Sequence, residues 1–306
     1  MNSPGNSRSA ISIRGLTKRY GKLSAVKNLS LEVEPGEIFG FLGLNGAGKT
    51  TTIRILLDLL RPTRGQAFVL GCDCQTQGLE ARSQIGYLPG EMGMFLDMNG
   101  QEVLRFLAGL ERREVDPRYR QELQERLKLP DHDLNRRLRE YSTGMKRKLG
   151  LIQAFQSDAP LLILDEPTEG LDPLMQESFY ELLADVQKRG RTVFMSSHVL
   201  SEVERTCRRV ALLRKGELAL LSTVEEIGRL APRRVRIFFS QEVNVHPEFP
   251  TGCQVMEMRP QEWCLRVEGM LGDLVNVLQG LPIKDLEVEE PRIEDVLMKY
   301  YREEVV

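Results

Sequence analysis

The chain has 306 residues, 41% of them hydrophobic and 28% charged, which excludes intrinsic disorder and gives room for one large domain and a small one. Its formal net charge of −2 excludes a global basic field, so bulk attraction to nucleic acid or to an anionic lipid surface is not expected. No stretch approaches the roughly 18 apolar residues that span a bilayer, so the chain itself is not expected to cross a membrane.

Residues 1–9 lack the charged and apolar regions of a signal peptide and read as a flexible tail, which predicts a cytosolic protein. Residues 12–16 and 25–33 alternate as strands do. Gly36-Glu37 then turns the chain into Ile38-Phe39-Gly40-Phe41-Leu42, a short buried strand. Ile53, Leu56, Leu57 and Leu60 recur at helical spacing, which predicts a helix from Lys49 to Leu60, ended by Arg61-Pro62. The five cysteines have no framework spacing, and Cys72-Asp73-Cys74 has no second pair or histidine cluster near it, so reduced thiols are expected.

Between about 87 and 155 the pattern becomes charged and leucine-spaced, as in 102–110 and 118–127, and reads as a helical insertion. The apolar runs 161–164 and 192–196, each followed by a helical pattern, fit a parallel sheet covered by helices. Near Leu230-Ala231-Pro232 the character changes again. Residues 233–240, 254–258, 263–267 and 284–289 read as strands, and 271–278 and 293–301 as helices. The expected organisation is an α/β domain over 10–230 and a small α+β domain over 231–306.

Gly43-Leu44-Asn45-Gly46-Ala47-Gly48-Lys49-Thr50 satisfies G-x-x-x-x-G-K-[ST] between a strand and a helix. Backbone N–H groups at such a loop cradle phosphate oxygens, Lys49 reaches the β and γ phosphates, and the Thr50 hydroxyl is placed for Mg²⁺. Downstream, Leu161-Leu162-Ile163-Leu164-Asp165-Glu166 is an apolar strand ending in two carboxylates at the sheet's C-terminal edge, beside the phosphate loop. Asp165 is suited to hold Mg²⁺ and Glu166 to polarise an attacking water as general base.

Together with Tyr141-Ser142-Thr143-Gly144-Met145, about twenty residues before Asp165, these motifs resemble the ATP-binding subunits of ABC transporters over nearly the whole chain. The resemblance implies a P-loop ATPase domain with a parallel-sheet core, an antiparallel β part and a helical insertion. It implies ATP contacts from Asn45, Gly46, Ala47, Gly48, Lys49, Thr50 and Thr51, with Mg²⁺ on Thr50 and Asp165. It also implies catalytic roles for Lys49, Glu166 and His198, the last contacting the γ-phosphate and orienting water. Ser142 and Gly144 would then donate to the phosphate held by a second copy, although the same residues read alone are a polar helix cap. Tyr20 stands where the family stacks an aromatic on adenine; read alone, it is a core tyrosine. Glu169-Gly170-Leu171-Asp172 resembles the loop that couples the two sites of the dimer.

The chain departs from the family pattern where Tyr87-Leu88-Pro89 is followed by Gly90-Glu91 in place of a glutamine. It also departs at Thr143 and Met145, which replace glycine and glutamine, and at Glu169, which replaces serine. These departures predict slower or more partner-dependent hydrolysis. The Gly90 and Ser-Thr-Gly-Met variants resemble bacterial exporters whose ATPase and membrane subunits are separate chains. The expectation is therefore an ATPase that homodimerises, or pairs with another ATPase subunit, around two ATP and drives a separate polytopic permease from the inner face of the cell membrane. No nucleic acid is expected. Ile293-Glu294-Asp295-Val296-Leu297 resembles the closing helix of such subunits. Met92, Met94, Phe95, Leu96 and Met98 read either as a docking surface for a permease helix or as the core of the insertion. The alternatives are a soluble non-transport ABC ATPase and a slow ATP-dependent switch; a single phosphate loop and no long heptad run disfavour the first, and intact Glu166 and His198 the second.

Overall fold

The computed structural model describes residues 9–91, 95–110, 113–245, 247–269, 271–289, 293, 294, 296 and 297. The chain divides between Leu221 and Ser222 into two compact units. The first carries β1 (Ile11–Tyr20), β2 (Leu23–Val33), β3 (Ile38–Leu42), α1 (Lys49–Leu56), β4 (Arg64–Val69), β5 (Cys72–Asp73), α2 (Gly78–Arg82) and β6 (Ile85–Leu88). There follow α3 (Gly100–Leu110), α4 (Pro117–Arg126), α5 (Asp131–Leu134), α6 (Thr143–Phe155), β7 (Leu161–Asp165), α7 (Pro173–Lys188), β8 (Thr192–Ser197), α8 (Leu200–Thr206), β9 (Arg209–Arg214) and β10 (Glu217–Thr223), whose last two residues belong to the second unit.

Among the described residues two sheets form in this unit. One has the order β2-β1-β4-β5, all antiparallel; the other has the order β10-β9-β3-β8-β7-β6, with β9, β3, β8, β7 and β6 running parallel. β3 and β7 are buried at every residue, which is why each reads as a continuous apolar run rather than an alternating one. Ile11, Ile13, Leu29 and Leu31 of the antiparallel sheet, Ile53 and Leu56 of α1, and Phe39, Phe41 and Phe194 of the parallel sheet share one core. Phe194 lies 5.0 Å from Phe41 and 5.9 Å from Phe39 between ring centroids, so neighbouring strands interlock through aromatics. Phe155 of α6 meets Phe179 of α7 at 6.4 Å, edge to face.

The expected helix 49–60 stops at Leu56. Leu57 caps it, and Asp58 takes a φ of 53°, a left-handed conformation that cannot continue a right-handed helix. At the start of the expected insertion over 87–155, residues 85–88 form a strand that pairs with β7, and the helices α3 to α6 follow it. Cys72, Cys74 and Cys207 are buried and all five cysteines are free.

In the second unit, α9 (Val224–Leu230) precedes β11 (Arg233–Phe239), β12 (Cys253–Arg259), β13 (Glu262–Val267), α10 (Gly272–Leu278) and β14 (Ile283–Val288). The strands form an antiparallel sheet in the order β12-β13-β11-β14. Val235, Ile237, Phe239, Trp263, Leu265 and Val267 point from β11 and β13 to one face and pack with Leu274 and Leu278 of α10. Of the expected closing helix, Ile293, Val296 and Leu297 are described and buried; the rest of 293–301, apart from Glu294, lies outside the described residues.

Candidate active site

β3 ends at Leu42 and α1 begins at Lys49, so residues 43–48 turn directly from a buried strand into a helix N-terminus. Gly48 is the N-cap, with φ 106°, and a Cβ there would lie 2.5 Å from the Ala25 carbonyl oxygen. Only glycine meets both demands. Leu44, Asn45 and Gly46 are exposed on the outer side of the loop while Ala47 and Lys49 are buried beneath it. The loop thus presents its backbone and the positive end of α1 outward, an arrangement that binds anions.

Lys49 is 6% exposed, and its ammonium donates to the Gly43 carbonyl at 2.5 Å and pairs with Glu166 Oε1 at 3.1 Å. The other Glu166 oxygen meets His198 Nδ1 at 2.8 Å. Thr50 Oγ1 donates to Asp165 Oδ2 at 3.1 Å. Between β3 and β7 lies β8, whose Ser196 hydroxyl donates to Asp165 Oδ1 and accepts the Glu166 N–H at 3.1 Å. Asp165 and Glu166 therefore do not stand on the strand next to the phosphate loop; a serine on the intervening strand sets the orientation of both. Glu166 has φ 49°, a left-handed conformation that costs a non-glycine residue about 1–3 kcal/mol. That turn brings its carboxylate between Lys49 and His198. Of the residues read from sequence, Lys49, Thr50, Asp165, Glu166 and His198 are brought together at the C-terminal ends of β3, β7 and β8.

Three groups that sequence reasoning left unassigned surround them. Ser196 is the first. Glu202 of α8 is 6% exposed; one of its oxygens accepts from the Thr168 hydroxyl, and the other accepts from the Ser197 hydroxyl at 2.9 Å. It joins the stretch after Glu166 to the residue before His198. Arg147 of α6 donates to the carbonyls of Pro89, Gly90 and Glu169 at 2.9, 2.8 and 3.1 Å. Burial lowers the Arg147 pKa, and the charges of Glu169, Asp165 and Glu166 oppose that shift. Tyr87 is pushed up to about 12 by burial and by Asp165 beside it. Apart from Ser197 and Glu202, which are five residues apart, these partners lie 22 to 58 residues apart in the chain, so local spacing does not announce the set.

Ser142 caps α6, accepting from Met145 N–H at 3.2 Å, and a Cβ on Gly144 would come within 3.0 Å of the Gly170 carbonyl. Among the described hydrogen bonds, neither residue reaches the phosphate loop of its own chain. Thr51 is half-buried in the first turn of α1. Tyr20 is 47% exposed at the end of β1, with Lys18 Nζ 5.1 Å from its ring centroid, which removes the reading of it as a core tyrosine. Gly90 faces Asp165: a Cβ there would lie 3.4 Å from Oδ2. Leu96 is exposed and Phe95 packs edge to face on Phe106, at 5.4 Å, while Met92 and Met94 lie outside the described residues.

The family model described as ABC transporter matches residues 26–169. An uncharacterized ABC transporter ATP-binding protein of Bacillus subtilis, YhaQ, is 31% identical over 302 residues, spanning 94% of this chain and 97% of that one. The chain belongs to the ABC transporter ATP-binding proteins. The bacitracin transport ATP-binding protein BcrA of Bacillus licheniformis is 37% identical over 206 residues, 66% of each protein. A solved ATP-binding subunit of an ABC transporter superposes with a TM-score of 0.66 and 28% identity over 72% of this chain and 92% of its own. As an ABC ATPase the chain binds and hydrolyses ATP, and the loop geometry fits that ligand. The outward-facing backbone of 43–48 suits the phosphates. Thr50 and Asp165 offer Mg²⁺ two hard oxygen ligands, and such an ion takes its remaining ligands from water and phosphate.

Proposed function

We propose that this chain is the ATP-hydrolysing subunit of an ABC exporter, in which two copies close around two ATP and drive a permease encoded separately. The observation that carries the proposal is the convergence of Lys49, Glu166 and His198 above the phosphate loop, with Thr50 and Asp165 alongside. The loop and the N-terminus of α1 hold the phosphates. Thr50 and Asp165 would hold Mg²⁺, which would supply charge neutralisation at the phosphate oxygens. Phosphate oxygens compete with Glu166 for the Lys49 ammonium, so nucleotide binding frees the Glu166 carboxylate to take a proton from water. His198 keeps that carboxylate oriented through its 2.8 Å contact and directs its ring to the γ-phosphate. Tyr20, exposed and flanked by Lys18, stacks on adenine.

Ser142 and Gly144, at the N-terminus of α6, meet the γ-phosphate held by the other copy. The γ-phosphate makes that contact in the closed dimer only, so binding is the closing force and hydrolysis reopens it. Leu96, Phe106 and Leu110, all exposed in the helical insertion, receive a cytoplasmic helix of the permease and place the subunit at the inner membrane face. No described helix is long and apolar enough to cross a membrane, and the relative BcrA bears a transport name for bacitracin, which supports a transport role. The second unit, 222–306, serves as an accessory domain on this reading.

Affinity purification of the tagged protein at native level from mildly solubilised cells tests this. Stoichiometric recovery of a polytopic membrane protein is the expected result. A soluble complex in its place assigns the chain to a non-transport ATPase. A slow switch is the second reading, favoured by Gly90, which carries no side chain toward Asp165; purified protein that binds ATP·Mg²⁺ tightly and turns it over only slowly, with no membrane partner recovered, would establish it.

A further inference from the structure

A buried arginine is costly unless its charge and all its donors are answered, so its partners reveal what it is kept for. Arg147 is 5% exposed, and each of three guanidinium nitrogens has a separate backbone carbonyl: Nη1 to Pro89, Nη2 to Gly90 and Nε to Glu169, at 2.9, 2.8 and 3.1 Å. The Glu169 carboxylate adds an ion pair at 3.7 Å. Two of the carbonyls belong to the loop after β6 and the third to the stretch that follows Glu166. Gly90 itself abuts the metal-side carboxylate, its Cβ position lying 3.4 Å from Asp165 Oδ2.

We propose that Arg147 is a positioning residue for hydrolysis: it clamps the 89–91 loop, through its backbone alone, in register with Asp165 and with the Glu166–Asp172 stretch. Gly90 has no side chain with which to fix that register, and the clamp supplies it from α6. Because α6 also begins at Ser142 and Gly144, the same helix joins the loop beside the metal ligands to the residues that face the second copy. The planar fork is the essential property, since a lysine carries the charge but has a single nitrogen for three divergent carbonyls.

The proposal rests on the hydrolysis site given above. Its test is Arg147→Lys in the full chain, read by nucleotide affinity, by turnover and by the Mg²⁺ concentration for half-maximal turnover. Affinity for a fluorescent ATP analogue in the absence of Mg²⁺ is expected to match wild type. Turnover is expected to fall about 10–100-fold and the half-maximal Mg²⁺ concentration to rise by a similar factor, the size of effect that follows when groups supporting a metal site are lost. A Mg²⁺ profile that superimposes on wild type, with or without loss of rate, overturns the proposal. Should Arg147→Lys fail to fold, as judged by thermal melting, Arg147→Gln, which keeps two donors without a buried charge, carries the same measurements. If wild type itself hydrolyses no ATP, the site reading fails and the clamp with it; if wild type turns over and the variant matches it, only the clamp fails.

Discussion

Glu166 lies between Lys49 and His198 on a left-handed backbone turn, and Ser196 braces that turn by holding its N–H and Asp165 together. Lys49 and Thr50 could be named from the glycine-rich motif, Asp165 and Glu166 from the apolar strand that they end, and His198 from the family resemblance. Ser196, Glu202 and Arg147 could not, because Asp165 and Glu166, Thr168, and the carbonyls of Pro89, Gly90 and Glu169 are brought to them by the fold rather than by the chain. The cysteines carry a prediction at the same scale. Burial pushes Cys74 and Cys207 up to about 12, so at pH 8 their thiolate fraction is on the order of 10⁻⁴. Iodoacetamide at that pH should modify the half-buried Cys253 and Cys264 well before either of them. Mass spectrometry of the alkylated folded protein that found Cys74 or Cys207 modified first would contradict the packing described.

At the scale of elements, the loops that carry chemistry are fixed by the helices that begin in them. Asp172 caps α7, accepting from Met175 N–H at 3.0 Å, and Pro173 opens the helix at its first position. Asp172→Ala should cost about 1 kcal/mol and lower the melting temperature by about 2–4 °C; an unchanged melt would show that the cap adds nothing. β3, β7 and β8 were legible because fully buried parallel strands are unbroken apolar runs with a helix after each. β6 was not, since Ile85-Gly86-Tyr87-Leu88 is four residues long, contains a glycine, and gains its strand character only by pairing with β7. The glycine is required there, because a Cβ on Gly86 would lie 2.1 Å from the Ala154 carbonyl of α6. The end of α1 was misjudged for a related reason. Leu57 and Leu60 keep helical spacing, yet Asp58 in the left-handed region turns the chain away.

At the scale of the whole molecule, the two units have separate cores, and the chain's one tryptophan marks one of them. Trp263 is 1% exposed between Phe239 and Phe249, with ring centroids at 4.7 and 6.0 Å, so tryptophan fluorescence reports on the second unit alone. ATP·Mg²⁺ at about 100 times its Kd should stabilise the first unit by about 2.7 kcal/mol through linkage. In urea, the far-UV circular dichroism transition should therefore shift with ATP·Mg²⁺ while the fluorescence transition stays in place. Coincident transitions that shift together would show a single cooperative unit.

The central claim is that the chain hydrolyses ATP with Glu166 as the base, and phosphate release by wild type and by Glu166→Gln, with ATP affinity measured alongside, tests it most directly. The account predicts turnover lower by about 10²–10⁴-fold in the variant, with affinity kept, because the amide retains the shape of the side chain but loses its charge and with it the capacity to take a proton. Wild-type turnover in Glu166→Gln would contradict it and remove Glu166 from the chemistry.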